Sequence, residues 1–275
     1  MTTSDHPAGD IPPILLVGCG RMGSAMLSGW RERGLGASVA VDPAPDAVSL
    51  AGPDLTVVPD ASGIPDDFSP AAVVLAVKPQ SAAEALPPHA RFAGKAVFLS
   101  IMAGRTIGGI ATLLGTEAAI VRAMPNTPAA VRQGVTVACA GPGVSVPQRT
   151  LCDRLLQAIG VVTWAEDEAL LDPVTAVSGS GPAYVFLLAE LLEQAAIEQG
   201  IPAEMARLLA RQTVAGSGAL LAASPEDAAA LRRAVTSPAG TTEAALKVLM
   251  AQDAWPAAMS KAIAAATARS RELAG

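Results

Sequence analysis

Aromatic side chains and charges are both scarce in this chain of 275 residues. Aromatic residues make up 3% of the sequence and apolar residues 51%, so the core must be built from aliphatic side chains and alanine. The charged fraction of 16% is low for a soluble monomer, which predicts that part of the surface is buried against another copy. The net charge of −6 comes without a basic stripe, which argues against nucleic acid as a partner.

Histidine and cysteine are too few or too scattered for several kinds of chemistry. His6 lies in a polar N-terminal segment and His89 follows two prolines, so both are expected to be solvated. Histidine-driven alcohol oxidation is therefore disfavoured. Cys19, Cys139 and Cys152 lack CxxC spacing, which indicates small buried thiols in a reducing compartment rather than disulfides. The sequence contains no recognisable metal-ligand cluster.

Targeting and membrane signals are also missing from the sequence pattern. Residues 1–12 are expected to form a flexible tail, without the features of a secretory signal. Apolar runs such as Ala71–Val77 are far shorter than the ~20 residues of a membrane helix. The chain is therefore expected to be cytoplasmic and to have no membrane partner.

Short apolar strands alternate with helices in the first part of the chain. This alternation predicts an α/β domain of Rossmann type at residues 13–166, with a mainly parallel sheet covered on both faces. Residues 167–275 carry helix signals and no convincing strand, so they are predicted to form an all-α domain. The strands are expected at 14–17, 38–41, 71–77, 96–101, 118–122, 135–140 and 161–164.

A glycine-rich turn follows the first predicted strand and opens a helix. In this context a G-x-G-x-x-G pattern is typical of dinucleotide binding. Gly18 allows a tight turn, Gly20 lets the backbone approach a pyrophosphate, and Gly23 lets the helix pack closely on the strand. The residues of the candidate cofactor turn are Gly18, Cys19, Gly20, Arg21, Met22 and Gly23.

An aspartate ends the second predicted strand, about 20 residues after the glycine turn. At this place the carboxylate of Asp42 would accept hydrogen bonds from the adenosine ribose, and it would repel a 2′-phosphate. Asp42 therefore favours NADH over NADPH. The alternative is a solvated aspartate at a strand end.

Three further strand ends carry polar groups and prolines. Ligands of open α/β sheets bind at the carboxyl ends of the strands, so these segments are expected to line a nicotinamide pocket. Asn126 is a candidate for holding the carboxamide or the substrate, and ordinary turn chemistry is the alternative for each position. The cofactor candidates at these ends are Val77, Lys78, Pro79, Ala103, Gly104 and Asn126.

Two segments of the helical part combine small and hydroxyl-bearing residues. Val177–Tyr184 opens a long apolar helix and would permit close backbone approach. Val235–Glu243 is rich in hydroxyls, and free amides at Gly240, Thr241 and Thr242 would form a site for a carboxylate. A plain helix cap is the alternative.

The segment Val235–Leu249 (VTSPAGTTEAALKVL) resembles the signature of pyrroline-5-carboxylate reductases. SGSGPAYVF, MPNTP and VKPQ occur in the same order as in that family. The resemblance implies reduction of 1-pyrroline-5-carboxylate to L-proline by NADPH or NADH, and a helical dimerisation domain whose helices complete the substrate site. It also implies that Thr242 binds the ring nitrogen. The substrate residues it implies are Ser178, Ser237, Gly240, Thr241, Thr242 and Asn126.

The sequence departs from this family at Asp42-Pro43, where many members carry a residue pair suited to a 2′-phosphate. Two other functions stay open at this point. A β-hydroxyacid dehydrogenase shares the domain plan but needs a lysine on the long helix, and residues 182–199 contain none. A nucleotide-binding regulator would keep the glycine turn without the hydroxyl-rich loop. A six-membered cyclic imine acid is an alternative substrate.

Overall fold

A computed structural model describes residues 11–115 and 117–274. Eight strands form one sheet in the order β3-β2-β1-β4-β5-β6-β7-β8. All neighbouring pairs are parallel except β6 and β7, so the predicted Rossmann-type α/β fold with a mainly parallel sheet is confirmed. The strands are β1 Ile14–Val17, β2 Ser38–Val41, β3 Leu55–Val58, β4 Ala72–Leu75, β5 Val97–Ser100, β6 Ala119–Met124, β7 Gly134–Ala140 and β8 Gly160–Ala165.

Helices cover both faces of this sheet. Their buried side chains form two apolar clusters, one on each face, which include Trp30 and Phe98 respectively. The indole nitrogen of Trp30 donates to the carbonyl of Leu155 at 2.9 Å, which fastens the first helix to the fourth. The helices of this part are α1 Arg21–Glu32, α2 Ala82–Ala85, α3 Ile107–Leu114, α4 Val146–Gln157 and α5 Leu171–Val174.

The chain divides into two compact units, and the division falls after Gly179. The first unit also takes in the residues from Ala266 onward. The last strand ends at Ala165, next to the boundary expected near Glu166, but the chain stays with the sheet beyond that point. One reason is Glu168, whose carboxylate accepts from the buried Arg122 of β6 at 2.9 Å and from the amide of Ile107 at 2.8 Å.

The second unit consists of helices, and they leave large apolar side chains exposed. Within residues 180–265 the buried residues are Pro182, Ala206 and Ala210. A helix as apolar as the one that Val177–Tyr184 opens is expected to be buried on several sides. Its Phe186 is nevertheless 67% exposed, and Leu208 of the next helix is 64% exposed. A single chain therefore does not cover this surface. The helices are α6 Gly181–Glu198, α7 Ala203–Ala223, α8 Ala228–Ala234, α9 Thr241–Leu249 and α10 Trp255–Ala274, whose last residues belong to the first unit.

The stretch Glu168–Glu198 is long and apolar enough to cross a membrane by length and composition alone, with a mean hydropathy of 1.3. The sequence-based expectation that all apolar runs are too short missed this stretch, because it joins α5, a short π-helix at Thr175–Gly179 and α6 into one apolar segment. Only 6% of its most apolar window is buried within the chain. A helix of this kind needs another apolar surface against it.

His89 is buried, contrary to the expectation from sequence that it is solvated. It lies in a 3₁₀ helix, Pro87–Phe92, and its side chain is 1% exposed. Burial and then the nearby Arg91 cation lower the pKa of His89 to about 4. Its Nδ1 atom has no hydrogen-bond partner within the described residues. The other histidine, His6, lies outside the described residues.

We expect His89 to make the free energy of unfolding fall in mild acid. Its pKa of about 4 in the folded protein lies below the usual 6.5, so the unfolded chain binds the extra proton between these pH values. Stability should therefore decline as pH falls from 6.5 to about 4, by up to about 3 kcal/mol. Chemical denaturation across this range should give a flatter profile for His89→Gln, whereas His6→Gln should follow the wild type. Equal slopes for wild type and His89→Gln would contradict this expectation.

Candidate active site

The glycine-rich turn joins β1 to α1, beside the point where the strand order reverses between β1 and β4. Gly18 has a φ of +99°, and a Cβ there would lie 2.8 Å from the carbonyl carbon of Ala76. A Cβ on Gly23 would lie 2.3 Å from the carbonyl oxygen of Gly18. A Cβ on Gly20 would meet no atom within 4 Å. Close backbone atoms therefore require glycine at the first and third positions of the motif, whereas the middle glycine faces open space.

The N-terminus of α1 has unused donors. Gly20 is the N-cap residue and makes no side-chain capping bond, so the first amides of the helix, at Arg21 and Met22, stay available. An anion at this end is also favoured by the helix dipole. The open approach at Gly20 and these amides fit the diphosphate of a dinucleotide.

The carboxylate of Asp42 is bonded to the glycine turn. Its Oδ2 accepts from the amide of Cys19 at 2.5 Å, and its Oδ1 accepts from the amide of Ala44 at 2.8 Å. The side chain is half-buried at the carboxyl end of β2. Asp42 therefore orients the turn and places a negative charge beside it, a connection that sequence spacing alone did not reveal.

The thiol of Cys19 is kept protonated at this position. Burial, and then the charge of Asp42, raise the pKa of Cys19 to about 11. Cys139 and Cys152 are buried, and their pKa values are also raised, first by burial. The three cysteines are therefore neutral small side chains rather than nucleophiles.

The other candidate cofactor segments follow adjacent parallel strands. Val77, Lys78 and Pro79 follow β4, and Ala103 and Gly104 follow β5. Since β1, β4 and β5 are neighbours and parallel, these segments come out at the same edge of the sheet. Lys78 and Ala103 are exposed there.

Two contacts that the sequence did not predict hold these strand ends. The Nε atom of Arg105 donates to the carbonyl of Pro79 at 3.0 Å, which links the β4 and β5 ends. Gly104 has a φ of +71° and is buried; a Cβ there would lie 3.1 Å from the carbonyl oxygen of Leu273. The end of α10 thus packs on the β5 end within the first unit.

Asn126 follows β6 and is 8% exposed. Its Oδ1 accepts from the amide of Val135 at 2.9 Å, and its Nδ2 donates to the carbonyl of Ser178 at 3.1 Å. Both ends of the side-chain amide are therefore engaged by the main chain. The site residues Asn126 and Ser178, which are distant in sequence, are brought into contact.

Ser178 lies in a π-helix, Thr175–Gly179, which the sequence did not indicate. Its hydroxyl donates to the carbonyl of Val174 at 3.0 Å, and the side chain is half-buried. Short π-helical turns often occur at functional sites. The Ser-Gly-Ser-Gly-Pro sequence that follows Val177 was the available signal, since small residues allow such irregular backbone.

In the second unit the hydroxyl-rich loop leads into α9, with Gly240 as its N-cap. The amide of Gly240 was expected to be free. It instead donates to the carbonyl of Ser237 at 3.0 Å in a tight turn. The amides of Thr241 and Thr242 make no hydrogen bond within the described residues, so they remain as donors at this helix start. The side chain of Thr242 is half-buried, whereas Ser237 and Thr241 are exposed.

Glu243 closes the other side of this loop. Its carboxylate accepts from the amide of Ala239 at 2.9 Å, and Ala239 has a left-handed φ of 57°. The loop thus has a fixed backbone with two outward amides and the Thr242 hydroxyl together. Such a group suits a small molecule with a carboxylate and a polar atom next to it.

Comparisons with known proteins show the family that the chain resembles. Residues 168–273 match the family described as pyrroline-5-carboxylate reductase dimerisation, and residues 13–104 match the family described as NADP oxidoreductase, coenzyme F420-dependent. The pyrroline-5-carboxylate reductase of Pseudomonas aeruginosa is 39% identical over 96% of this chain and 97% of its own.

Solved structures give the same result. A pyrroline-5-carboxylate reductase from Coxiella burnetii superposes with a TM-score of 0.87 and 32% identity, over 95% of this chain and 98% of that one. The pyrroline carboxylate reductase of Plasmodium falciparum, solved with NADP bound, gives a TM-score of 0.80 and 26% identity over 96% and 99%.

The glycine turn, the strand order and the helical second unit define a dinucleotide-binding oxidoreductase with a Rossmann-type domain. The identity over nearly the whole chain is more specific. The chain belongs to the pyrroline-5-carboxylate reductase family.

Proposed function

We propose that this protein reduces 1-pyrroline-5-carboxylate to L-proline with a nicotinamide cofactor, the last step of proline biosynthesis. The observation that carries the proposal is 39% identity to a pyrroline-5-carboxylate reductase over 96% of the chain. The open glycine turn and the amide pair at the start of α9 supply the two binding functions that this reaction needs.

The cofactor is assigned to the sheet edge of the first unit. The amides that follow Gly20 hold the diphosphate, and the segments Val77–Pro79 and Ala103–Gly104 line the nicotinamide half. The relative from Plasmodium falciparum carries NADP, which supports a nicotinamide dinucleotide of either kind. Between the two, the charge of Asp42 favours NADH.

We expect Asp42→Ser to shift cofactor preference toward NADPH. The substitution removes a negative charge that would face the 2′-phosphate, and a like-charge contact of this kind is worth about 1 kcal/mol, or several-fold in affinity. The ratio of kcat/KM for NADPH to that for NADH should rise accordingly. Asp46→Ser, which removes a nearby exposed carboxylate, serves as the control. An unchanged ratio in Asp42→Ser would mean that Asp42 does not read the ribose.

The substrate is assigned to the loop before α9. The amides of Thr241 and Thr242 bind its carboxylate, Ser237 and Gly240 shape the turn that presents them, and the Thr242 hydroxyl bonds the ring nitrogen. Ser178 is proposed as a further substrate residue, as the family resemblance implies. When bound, the nicotinamide supplies the hydride that adds to the imine carbon. The protonated imine is already electrophilic, so the protein's work is to orient the ring, hold its nitrogen and exclude water.

We expect Thr242→Ala to lower turnover while leaving cofactor affinity unchanged. The lost hydrogen bond to a charged nitrogen is worth about 1.5–3 kcal/mol, so kcat/KM for the imine should fall about 10- to 100-fold. Thr236→Ala is the matched control, because its hydroxyl donates to the carbonyl of Arg232 at 2.7 Å instead of facing the helix start. Steady-state kinetics and NADH fluorescence titration separate the two quantities. Wild-type kcat/KM in Thr242→Ala would remove this residue from the site.

The helical unit is assigned to self-association. The family region at residues 168–273 is described as a dimerisation region, and it contains the exposed apolar side chains of α6 and α7. A second copy, rather than a lipid bilayer, is therefore the proposed cover of the stretch Glu168–Glu198, and each site is completed by both subunits. This protein is proposed to act in the cytoplasm, with no membrane or nucleic-acid partner.

The decisive assay follows oxidation of NADH and of NADPH by absorbance in the presence of pyrroline-5-carboxylate. Oxidation of at least one cofactor is expected. If neither NADH nor NADPH is oxidised, the proposal is wrong. The same assay with the six-membered cyclic imine acid tests whether the enzyme discriminates between substrates by ring size.

A β-hydroxyacid dehydrogenase would instead reduce NAD with a hydroxyacid, and α6 contains no lysine for that chemistry. Nucleotide binding without turnover would favour a regulator.

A further inference from the structure

The side-chain amide of Asn126 joins three segments of the first unit. It lies two residues beyond the last residue of β6. Its Oδ1 accepts from the amide of Val135 in β7, and its Nδ2 donates to the carbonyl of Ser178 in the π-helix. The side chain is 8% exposed, so these bonds form where water does not compete well. The Asn126 amide therefore forms a direct hydrogen-bonded link between a strand end and the π-helix.

The π-helix also packs against the end of β6. A Cβ on Gly179 would lie 2.6 Å from the terminal methyl group of Met124, so the backbone of the π-helix lies directly against this side chain. The hydroxyl of Ser178 bonds back to its own helix. Its carbonyl is the atom that receives the bond from Asn126, at 3.1 Å.

We propose that Asn126 is a positioning residue for imine reduction: it fixes the π-helix Thr175–Gly179, and with it Ser178, against the cofactor edge of the sheet. This role rests on the proposed function. It is an alternative to the sequence-based prediction that Asn126 itself holds the carboxamide or the substrate, and it rests on the bond that each end of the amide makes to the main chain.

Loss of the bond between Asn126 and the π-helix should lower the turnover rate more than it weakens cofactor binding. Rate depends steeply on the placement of the reacting atoms, and a displacement of about 1 Å can cost about 100-fold. A freed π-helix would let Ser178 move relative to the strand ends. The diphosphate cradle at Gly20 lies at another strand and should not change.

The test uses Asn126→Asp in the full-length protein. The introduced carboxylate can still accept from Val135, but it cannot donate to the Ser178 carbonyl. We expect kcat to fall about 10- to 100-fold relative to wild type at about pH 8. Protonation of the introduced carboxyl restores the donor, so the ratio of variant to wild-type kcat should recover as pH falls toward about 6. Gln133→Ala, an exposed position in the same connection, is the control and should retain the wild-type ratio.

Binding measurements separate positioning from direct contact. NADH and ADP-ribose differ by the dihydronicotinamide ring alone, so the ratio of their dissociation constants reports on contacts to that ring without any turnover. A positioning role leaves this ratio unchanged in Asn126→Asp. Loss of the NADH advantage would overturn the proposal in favour of a carboxamide ligand. A kcat equal to wild type, or a low kcat ratio that does not recover in acid, would also overturn it.

If Asn126→Asp does not yield folded protein, Asn126→Ser carries the same test, with reduced kcat and an unchanged NADH to ADP-ribose ratio expected. Failure of the proposed function is recognised separately, since wild-type protein would then not oxidise either cofactor with pyrroline-5-carboxylate. The binding ratio can be measured in either case.

Discussion

Alanine at Gly23 is expected to abolish cofactor binding and to destabilise the protein. The new Cβ would lie 2.3 Å from the carbonyl oxygen of Gly18, which is itself held at a φ of +99° by its close approach to Ala76. Because the two nearest atoms belong to the Gly18 backbone, which cannot rotate away as a side chain can, α1 must shift away from the end of β1. A shift of this kind in a packed core costs about 1–3 kcal/mol or more.

Alanine at Gly20 separates cofactor binding from folding. Its Cβ would meet no protein atom within 4 Å, so the melting temperature of Gly20→Ala should match wild type. The methyl group would nevertheless stand where the diphosphate approaches, and we expect the dissociation constant for NADH to rise about 10-fold or more. Isothermal titration calorimetry and thermal unfolding measure the two effects.

The control for both variants is Gly108→Ala in α3. This glycine also has open space around the position of a Cβ, but it lies away from the glycine turn. It should bind NADH as wild type does. Wild-type affinity in Gly20→Ala would mean that the diphosphate does not approach this glycine, and wild-type stability in Gly23→Ala would mean that the turn relaxes freely.

Aspartate at Phe186 is expected to dissociate the assembly. Phe186 lies on α6, is 67% exposed in the single chain, and faces the groove between α6 and α7. If a second copy covers it, the variant buries an unpaired carboxylate, which costs several kcal/mol and raises the dimer dissociation constant more than about 100-fold. Sedimentation velocity at decreasing concentration measures this constant.

Val48→Asp is the matched control, since this valine is 64% exposed but lies in the first unit, outside the region 168–273. It should stay associated. A Phe186→Asp protein with the wild-type dissociation constant would exclude the α6 face from the interface. Reduced turnover should accompany dissociation if both subunits complete the site.

The sequence predicted most of the elements well, because their signals are local. The predicted strands at 14–17 and 38–41 have the bounds of β1 and β2, and the described residues after 167 form helices and no strand, as predicted. β3 was missed because Leu55–Val58 is short and half-exposed, without the continuous apolar character of a central strand. The π-helix was missed because its contacts with Met124 and Asn126 come from a distant part of the chain.

The sequence named candidate residues for the site, but it predicted their hydrogen-bond partners less well. The amide of Gly240 was expected to be free, but turn formation with Ser237 uses it. Asp42 was expected to face the ribose, and its carboxylate also bonds Cys19 in the glycine turn. In each case the residue type pointed to a role at the site. The hydrogen-bond partner of the residue depended on a backbone conformation that the spacing of residues in the sequence does not specify.

By itself the sequence determined the glycine turn, the alternation of strands and helices, and the hydroxyl-rich loop, because each depends on neighbouring residues and on the limits that glycine and proline place on the backbone. Only the tertiary structure decided that His89 is buried and that Asn126 bonds Val135 and Ser178. Burial and hydrogen-bond partners depend on segments distant in the chain, which come together only when the sheet and its covering helices pack.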